Sequence, residues 1–212
     1  MKSRLYSLTT NRQEGQFIVN LAEILVSAGL VIGVAFQVQL FLQDYQFENY
    51  YEELKDVENA LWEYRDITGY WPADCNKDGV VDIGANTLLP QQLPQSCVFD
   101  VRSQEAMLKV FTDLASVNML DEDLRAKFAD GHGHYMQLAH VVDGNLEAKG
   151  KNVLVAFDVS LEMAQWLDQK IDGRLAAAAG RVRLWGDGYS QHWPQTTDAG
   201  RVSIAYYIDS KI

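Results

Sequence analysis

The pattern of apolar and polar positions divides the chain into three stretches. A short polar, basic stretch ends at Gly15. A helical pattern then runs without a proline or a turn cluster from Phe17 to Thr68. Its first half is apolar on all sides, and residues 24–43, ILVSAGLVIGVAFQVQLFLQ, contain no charge. Twenty helical residues reach about 30 Å, the thickness of a bilayer core. In the second half the apolar residues Phe47, Tyr50, Tyr51, Leu54, Val57, Leu61, Tyr64 and Ile67 recur at steps of mostly three and four, which puts them on one face. Acids, Glu58 among them, fill the other faces, and Gly69 and Pro72 end the helix. Gly29 and Gly33 are its weakest points, at about 1 kcal/mol each.

After a loop-rich stretch, 70–100, the pattern predicts a helix over 103–118. Ser103 is its N-cap, and Met107, Leu108, Phe111, Leu114 and Ala115 form its apolar face. A short helix over 122–129, capped by Asp121, follows. The period then changes to two. Residues 134–142 alternate as a strand and lead into an Asp143-Gly144-Asn145 turn. Residues 152–159 read as a buried strand, Ser160 caps a helix over 161–171, and 181–185 and 201–208 read as two more strands. The fold class predicted is α+β: a long N-terminal helix packed on an antiparallel sheet of about four strands, with the helices on one side.

Charge sharpens the first stretch. The chain carries −11 overall. Lys2, Arg4 and Arg12 against Glu14 leave residues 1–15 at +2, so the remainder carries −13. Basic residues ahead of a first apolar helix hold that end in the cytoplasm, which places the rest of the chain outside the inner membrane, as a single-pass protein with a periplasmic C-terminal domain. The acidic outer domain argues against a nucleic-acid partner. The apolar run is too long for a signal-peptide core and no Ala-x-Ala site follows it, so it is expected to be retained. The domain reading is therefore 1–15 leader, 16–43 membrane half of the helix, and 44–212 amphipathic half plus head domain.

Cys75 and Cys97 are the two cysteines. In an exported domain the simplest reading is a disulfide, closing a loop of about 22 residues and contributing roughly 3 kcal/mol; the alternative is two buried thiols. Asp74, Asn76, Asp78, Gly79 and Asp82 spell D-x-N-x-D-G-x-x-D, the first nine positions of an EF-hand-type loop, with the Val80 carbonyl as a backbone ligand. Hard oxygen donors point to structural Ca²⁺. The twelfth position is Ala85, so the usual Glu is missing, and Asn86 or Asp100 would complete the shell. The alternative is a solvated acidic turn. His134 and His140 stand too far apart on a strand to share an ion, and His132 with His134 could share one but has no third ligand at hand. No nucleophile turn or phosphate loop occurs, so no catalytic residues and no enzyme activity are expected. Trp166, Trp185 and Trp193 read as core.

The ordered set of basic leader, apolar helix with an acid near its start, amphipathic continuation and α+β head resembles type IV pilins and type II secretion pseudopilins. GLVIGVA (29–35) resembles the hydrophobic heart of that family, and ALWEYRDITGYWPADCNKDG (60–79) and SQEAMLKVFTDLASVNML (103–120) resemble a pseudopilin subgroup. The resemblance implies cleavage by a prepilin peptidase between Gly15 and Gln16 and methylation of Gln16. It also implies membrane storage, then assembly by an inner-membrane platform into a periplasmic or extracellular filament with other subunits of the family. Assembly would run through Phe17, Asn20 and Glu23. The family acid lies five residues after the cleavage glycine, where this chain has Asn20, and Glu23 lies eight after it. Residues three apart share a helical face, so Glu23 would meet a neighbour's free amine about one turn deeper. The alternative is a signal-anchored, Ca²⁺-binding interaction domain that does not polymerise.

Overall fold

The computed structural model describes residues 3–83, 99–128, 135–141, 151–185, 193–194 and 200–208, with side chains from Leu21 onward except Ala22. It is α+β, with four helices and four strands among the described residues: α1 (Ser3–Thr68), α2 (Gln104–Ser116), α3 (Glu122–Phe128), β1 (Tyr135–Val141), β2 (Lys151–Ser160), α4 (Leu161–Asp172), β3 (Val182–Trp185) and β4 (Arg201–Tyr207). The chain divides into two compact units, 1–48 and 49–212.

In the first unit α1 begins at Ser3, so helix extends through the basic stretch expected to be a leader as well as the stretch the pattern predicted. No proline precedes Phe17, and one glycine costs too little to stop a helix that is already propagating. Residues 24–42 are all exposed, Phe41 at 71% and Ile24 at 65%. This is the one described helix long and apolar enough to cross a membrane, and a membrane anchor and a signal segment both satisfy that description.

In the second unit the four strands form one antiparallel sheet in the order β1-β2-β4-β3. One row across it runs Leu138, Leu154, Tyr206, Val182. β2 and β4 meet with a bulge between Ala156 and Val159, where Asp158 adopts φ 55°. Residues 152–157 are all buried, so both faces of β2 are covered. β1 differs from its predicted alternation. Met136 through His140 are buried at successive positions, Gln137 included, because its second face is covered too. Gln137 then satisfies its amide on the Leu138 carbonyl.

The amphipathic half of α1 buries Tyr50, Leu54, Val57, Leu61 and Tyr64, as the periodicity predicts. Ile67, at 58% exposed, falls outside the stripe. The larger difference is Glu58. Its place among the acids predicts solvent, yet it is only 5% exposed. The Arg181 guanidinium donates to its Oε1, while Lys55 Nζ at 2.5 Å and the Tyr206 hydroxyl at 2.6 Å donate to its Oε2. Burial pushes this carboxyl up, but the hydrogen bonds from Lys55 and Tyr206 and the Arg181 charge outweigh it and hold the pKa below the ordinary value. Further along, Lys127 of α3 bridges Asp56 at 2.8 Å, and Tyr51 meets Trp166 of α4 edge-on.

Helix caps follow the sequence reading. The Ser103, Asp121 and Ser160 side chains accept from the N–H groups of Ala106, Leu124 and Met163. The predicted apolar face of α2 is corrected. Ala106, Val110 and Leu114 are buried, whereas Leu108 is 53% exposed. Ala106 and Val110 stand one helical turn apart and admit close approach, which turns the bulkier Leu108 outward. Of the three tryptophans read as core, Trp193 is buried while Trp166 and Trp185 are half-buried.

Glu58→Ala leaves the Arg181 guanidinium and the Tyr206 hydroxyl without their acceptor and is expected to cost about 3 kcal/mol. Arg181→Ala in the same background should add much less than it costs alone. Denaturant unfolding followed by near-UV circular dichroism measures both, and strict additivity would mean that the pair is not coupled.

Candidate metal loop and assembly helix

The loop after α1 is built by its own backbone. Gly69, at φ 84°, ends the helix, and its N–H reaches the Arg65 carbonyl at 2.7 Å. Trp71 is fully buried, with Trp62 edge-on to it and the Arg65 guanidinium 4.8 Å from its ring. At the base of the loop, Asp82 N–H donates to the Ala73 carbonyl at 3.0 Å, and Ala73 N–H donates to Asp113 of α2 at 2.7 Å.

Within the loop, Asp74 Oδ1 accepts from the Asp78 N–H at 3.2 Å and Oδ2 from the Gly79 N–H at 3.0 Å. Asn76 Oδ1 accepts from Asp78 N–H, Asp78 Oδ1 from Val80 N–H, and Asp82 Oδ2 from Cys75 N–H. Left-handed backbone at Lys77 (φ 60°) and Gly79 (φ 92°) curls the chain so that these N–H groups face the carboxylates. A side chain at Gly79 would meet open space, so the demand for glycine there is a backbone one.

The loop is fixed to the sheet by a residue that the sequence did not single out. Asn152 of β2, 1% exposed, accepts from the Val81 N–H at 2.8 Å and donates to the Gly79 carbonyl at 2.9 Å. The clamp holds the two successive peptides on either side of Val80, and the Val80 carbonyl belongs to the second of them. Beyond it, His140 N–H donates to the Ile83 carbonyl at 2.8 Å, and Ile83 bridges Phe99. A lone Asn in an apolar strand pattern is the only signal that could have pointed to this clamp.

Asp74 and Asp82 are buried while Asn76 and Asp78 are exposed. Burial pushes the Asp74 carboxyl up. It pushes Asp82 up to about 6, with the charges of Asp74 and Asp78 adding to the effect and the Cys75 N–H opposing it. Among the described residues no three His, Cys, Asp or Glu side chains converge as a ready metal centre. The carboxylates are turned to backbone N–H groups, and each such bond leaves the oxygen a further lone pair. A cation in this loop would relieve the mutual repulsion of Asp74, Asp78 and Asp82. Of the proposed completing ligands, Asp100 is exposed and accepts from Arg102 N–H, and Ala85 and Asn86 lie outside the described residues. No described cysteine is free. Cys97, the expected partner of Cys75, lies outside the described residues, as do His132, His134 and the 143–145 turn.

The residues expected to serve processing and assembly all lie on α1. The side chains of Gln16, Phe17 and Asn20 lie outside the described part, as does the surrounding of Gly15. Glu23 is exposed, and its carbonyl accepts the Ser27 hydroxyl at 2.7 Å. The loop residues thus come together within the second unit, while those expected to serve processing and assembly belong to the first.

No protein-family model, curated protein or solved structure matches this chain.

A carboxyl with a raised pKa in the fold stabilises the fold when protonated. For Asp82 that contribution is complete below the ordinary carboxylate value of about 3.9 and is lost as pH rises through 6. In chelator, thermal stability of the full chain is therefore expected to fall between pH 5 and 7.5. Asp82→Asn should flatten this profile by about 1.4 kcal/mol over that window. An unchanged slope in the variant would remove Asp82 as its source.

Proposed function

We propose that this chain is a pilin-like or pseudopilin-like structural subunit. In this reading it is cleaved after Gly15, stored in the inner membrane through 16–43, and assembled through its N-terminal helix into a pilus or secretion pseudopilus. The observation that carries the reading is the contrast along α1. The half beyond Asn49 supplies a core stripe to an α+β head, while residues 24–42 present apolar side chains that none of the described residues covers. Such a surface requires either lipid or other helices of its own kind. A filament of stacked N-terminal helices provides the second environment and a membrane the first, which suits a subunit that moves from one to the other.

Glu23 is the acid available at the start of that surface. In a packed helical core a carboxylate needs a cation, and the amine of a processed neighbour at Gln16 is the one that cleavage creates. The work of the protein is then mechanical, with no catalytic step. Its partners are further subunits, the prepilin peptidase and the assembly platform. Within the same reading the 74–82 loop holds Ca²⁺ through Asp74, Asn76, Asp78, Asp82 and the Val80 carbonyl. The ion's role is structural: it keeps the connection from α1 to the head ordered, and the Cys75–Cys97 disulfide ties that connection at its far end.

Two experiments test this. Glu23→Ala in cells that assemble the wild type should abolish filament formation with no change in head stability. Normal assembly in the variant would remove the charge pairing. Wild type that stays monomeric in the presence of the whole machinery would favour a signal-anchored interaction domain. For the loop, Ca²⁺ at about 100 times its Kd should raise stability by about 2.7 kcal/mol over chelator. Asp78→Ala should abolish that difference, and equal melting with and without Ca²⁺ in the wild type would remove the site.

A further inference from the structure

The clamp between β2 and the 74–82 loop does more than hold the loop in place. Asn152 is itself fixed by the sheet. It stands opposite His140 in the β1–β2 ladder, and its carbonyl accepts the Ile208 N–H at 3.2 Å. Only 1% of the residue is exposed. Its side-chain amide serves two successive peptides of the loop. Oδ1 accepts from the Val81 N–H at 2.8 Å, and Nδ2 donates to the Gly79 carbonyl at 2.9 Å. Those two groups flank Val80, so a single amide meets this residue as a neighbouring strand would meet extended chain.

Peptide geometry sets where the other ends of these peptides point. The described peptides are all trans, and in a trans peptide the N–H and C=O point in opposite directions. The Gly79 carbonyl is turned to Asn152, so the Val80 N–H of the same peptide points away from it and donates to Asp78 Oδ1 at 2.9 Å. The Val81 N–H is also turned to Asn152, so the Val80 carbonyl of that second peptide points away as well. The Val80 N–H and C=O therefore leave the chain on one side, the side of the Asp78 carboxylate. Other bonds hold the limb from Asp82 onward: the Asp82 N–H donates to the Ala73 carbonyl, and the Ile83 carbonyl accepts from His140. The Val80–Val81 peptide is held by Asn152.

We infer that Asn152, within the Ca²⁺ reading of the loop on which this rests, is the positioning residue of the cation site, turning the Val80 carbonyl to the side of Asp78 as a preset ligand. Asn152 is not itself a ligand. Its Oδ1 faces the Val81 N–H and its Nδ2 is a donor, so it acts on the ion through the peptide between Val80 and Val81. A carbonyl fixed before the ion arrives need not be ordered by it, which favours binding. Groups that orient a metal ligand in this way are worth about 10- to 100-fold in metal affinity. The sheet thereby sets the affinity of a loop that lies outside it.

Calorimetric titration with Ca²⁺ and the emission lifetime of bound Tb³⁺ in H₂O and D₂O, which counts the waters on the ion, test this on the full chain in detergent. Asn152→Leu removes both bonds to the loop. It is expected to bind Ca²⁺ about 10- to 100-fold more weakly than the wild type and to hold Tb³⁺ with one more water, in the place of the freed carbonyl. A wild type that takes up neither ion overturns the Ca²⁺ reading and this inference with it. A wild type that binds, beside an Asn152→Leu variant of equal affinity, overturns the inference alone. So does a variant of weaker affinity with an unchanged water count, since Asn152 would then only support the fold. Should the variant fail to fold, the ¹³C resonance of the Val80 carbonyl in the wild type decides. It is expected to shift on addition of Ca²⁺, and a resonance unmoved at saturation would overturn the inference.

Discussion

The buried carboxylate of Glu58 is the constraint on which the head domain depends. An acid has no place in an apolar helix stripe unless the partners of the stripe supply its cation and its hydrogen bonds. Here β4 supplies the Tyr206 hydroxyl, the residue leading into β3 supplies Arg181, and α1 itself supplies Lys55. An ion cluster of this kind adds little net stability over a well-packed apolar alternative. What it adds is geometry. Leu54, Val57 and Leu61 would pack acceptably in more than one rotation of the helix, but Glu58 meets Arg181 in one only. The Asp56–Lys127 bridge to α3 and the Tyr51–Trp166 contact with α4 then fall into place around it.

With the rotation of this half of α1 fixed, the loop that follows starts from a defined position. Its base is closed on α2 through Asp113, and its far limb is clamped to β2 by Asn152. The acids of the loop are thereby buried and held close, and burial first, then the charges of Asp74 and Asp78, raise the pKa of Asp82. A bound cation would turn that cost into a gain. An acidic chain with −11 net charge meets this problem repeatedly, and it meets it with guanidinium groups and backbone N–H groups in different places.

Most of the fold was legible in the sequence because its elements are locally consistent. The caps at Ser103, Asp121 and Ser160, the C-terminal end of α1 and the bounds of β2 and β4 agree with the structure to within a residue or two, while α1 starts at Ser3, well ahead of the expected Phe17. What was not legible depends on tertiary partners. Glu58 reads as one more exposed acid until Arg181 arrives from a position 123 residues away. The alternation of β1 predicts one buried face, and only the cover on its second face buries Gln137. In α2 the packing face runs through Ala106, Val110 and Leu114, so Leu114 was read correctly while Leu108 and Ala115 turned out exposed. The loop motif was legible as ligand types and spacing, but the Asn152 clamp was not, since one polar residue in a strand announces nothing of what it will meet. The apolar half of α1 was legible as a membrane-competent helix, whereas the helical state of residues 3–16 was not. Their role in assembly rests on resemblance and on the exposed apolar surface.

The most direct measurement is intact mass with N-terminal sequencing of the protein recovered from membranes, with and without an active prepilin peptidase. The account requires a mature chain that begins at Gln16 and carries one added methyl group when the peptidase is present, and an unprocessed chain when it is absent. A chain that still begins at Met1 beside an active peptidase would contradict it and leave a membrane-anchored domain that never enters a filament.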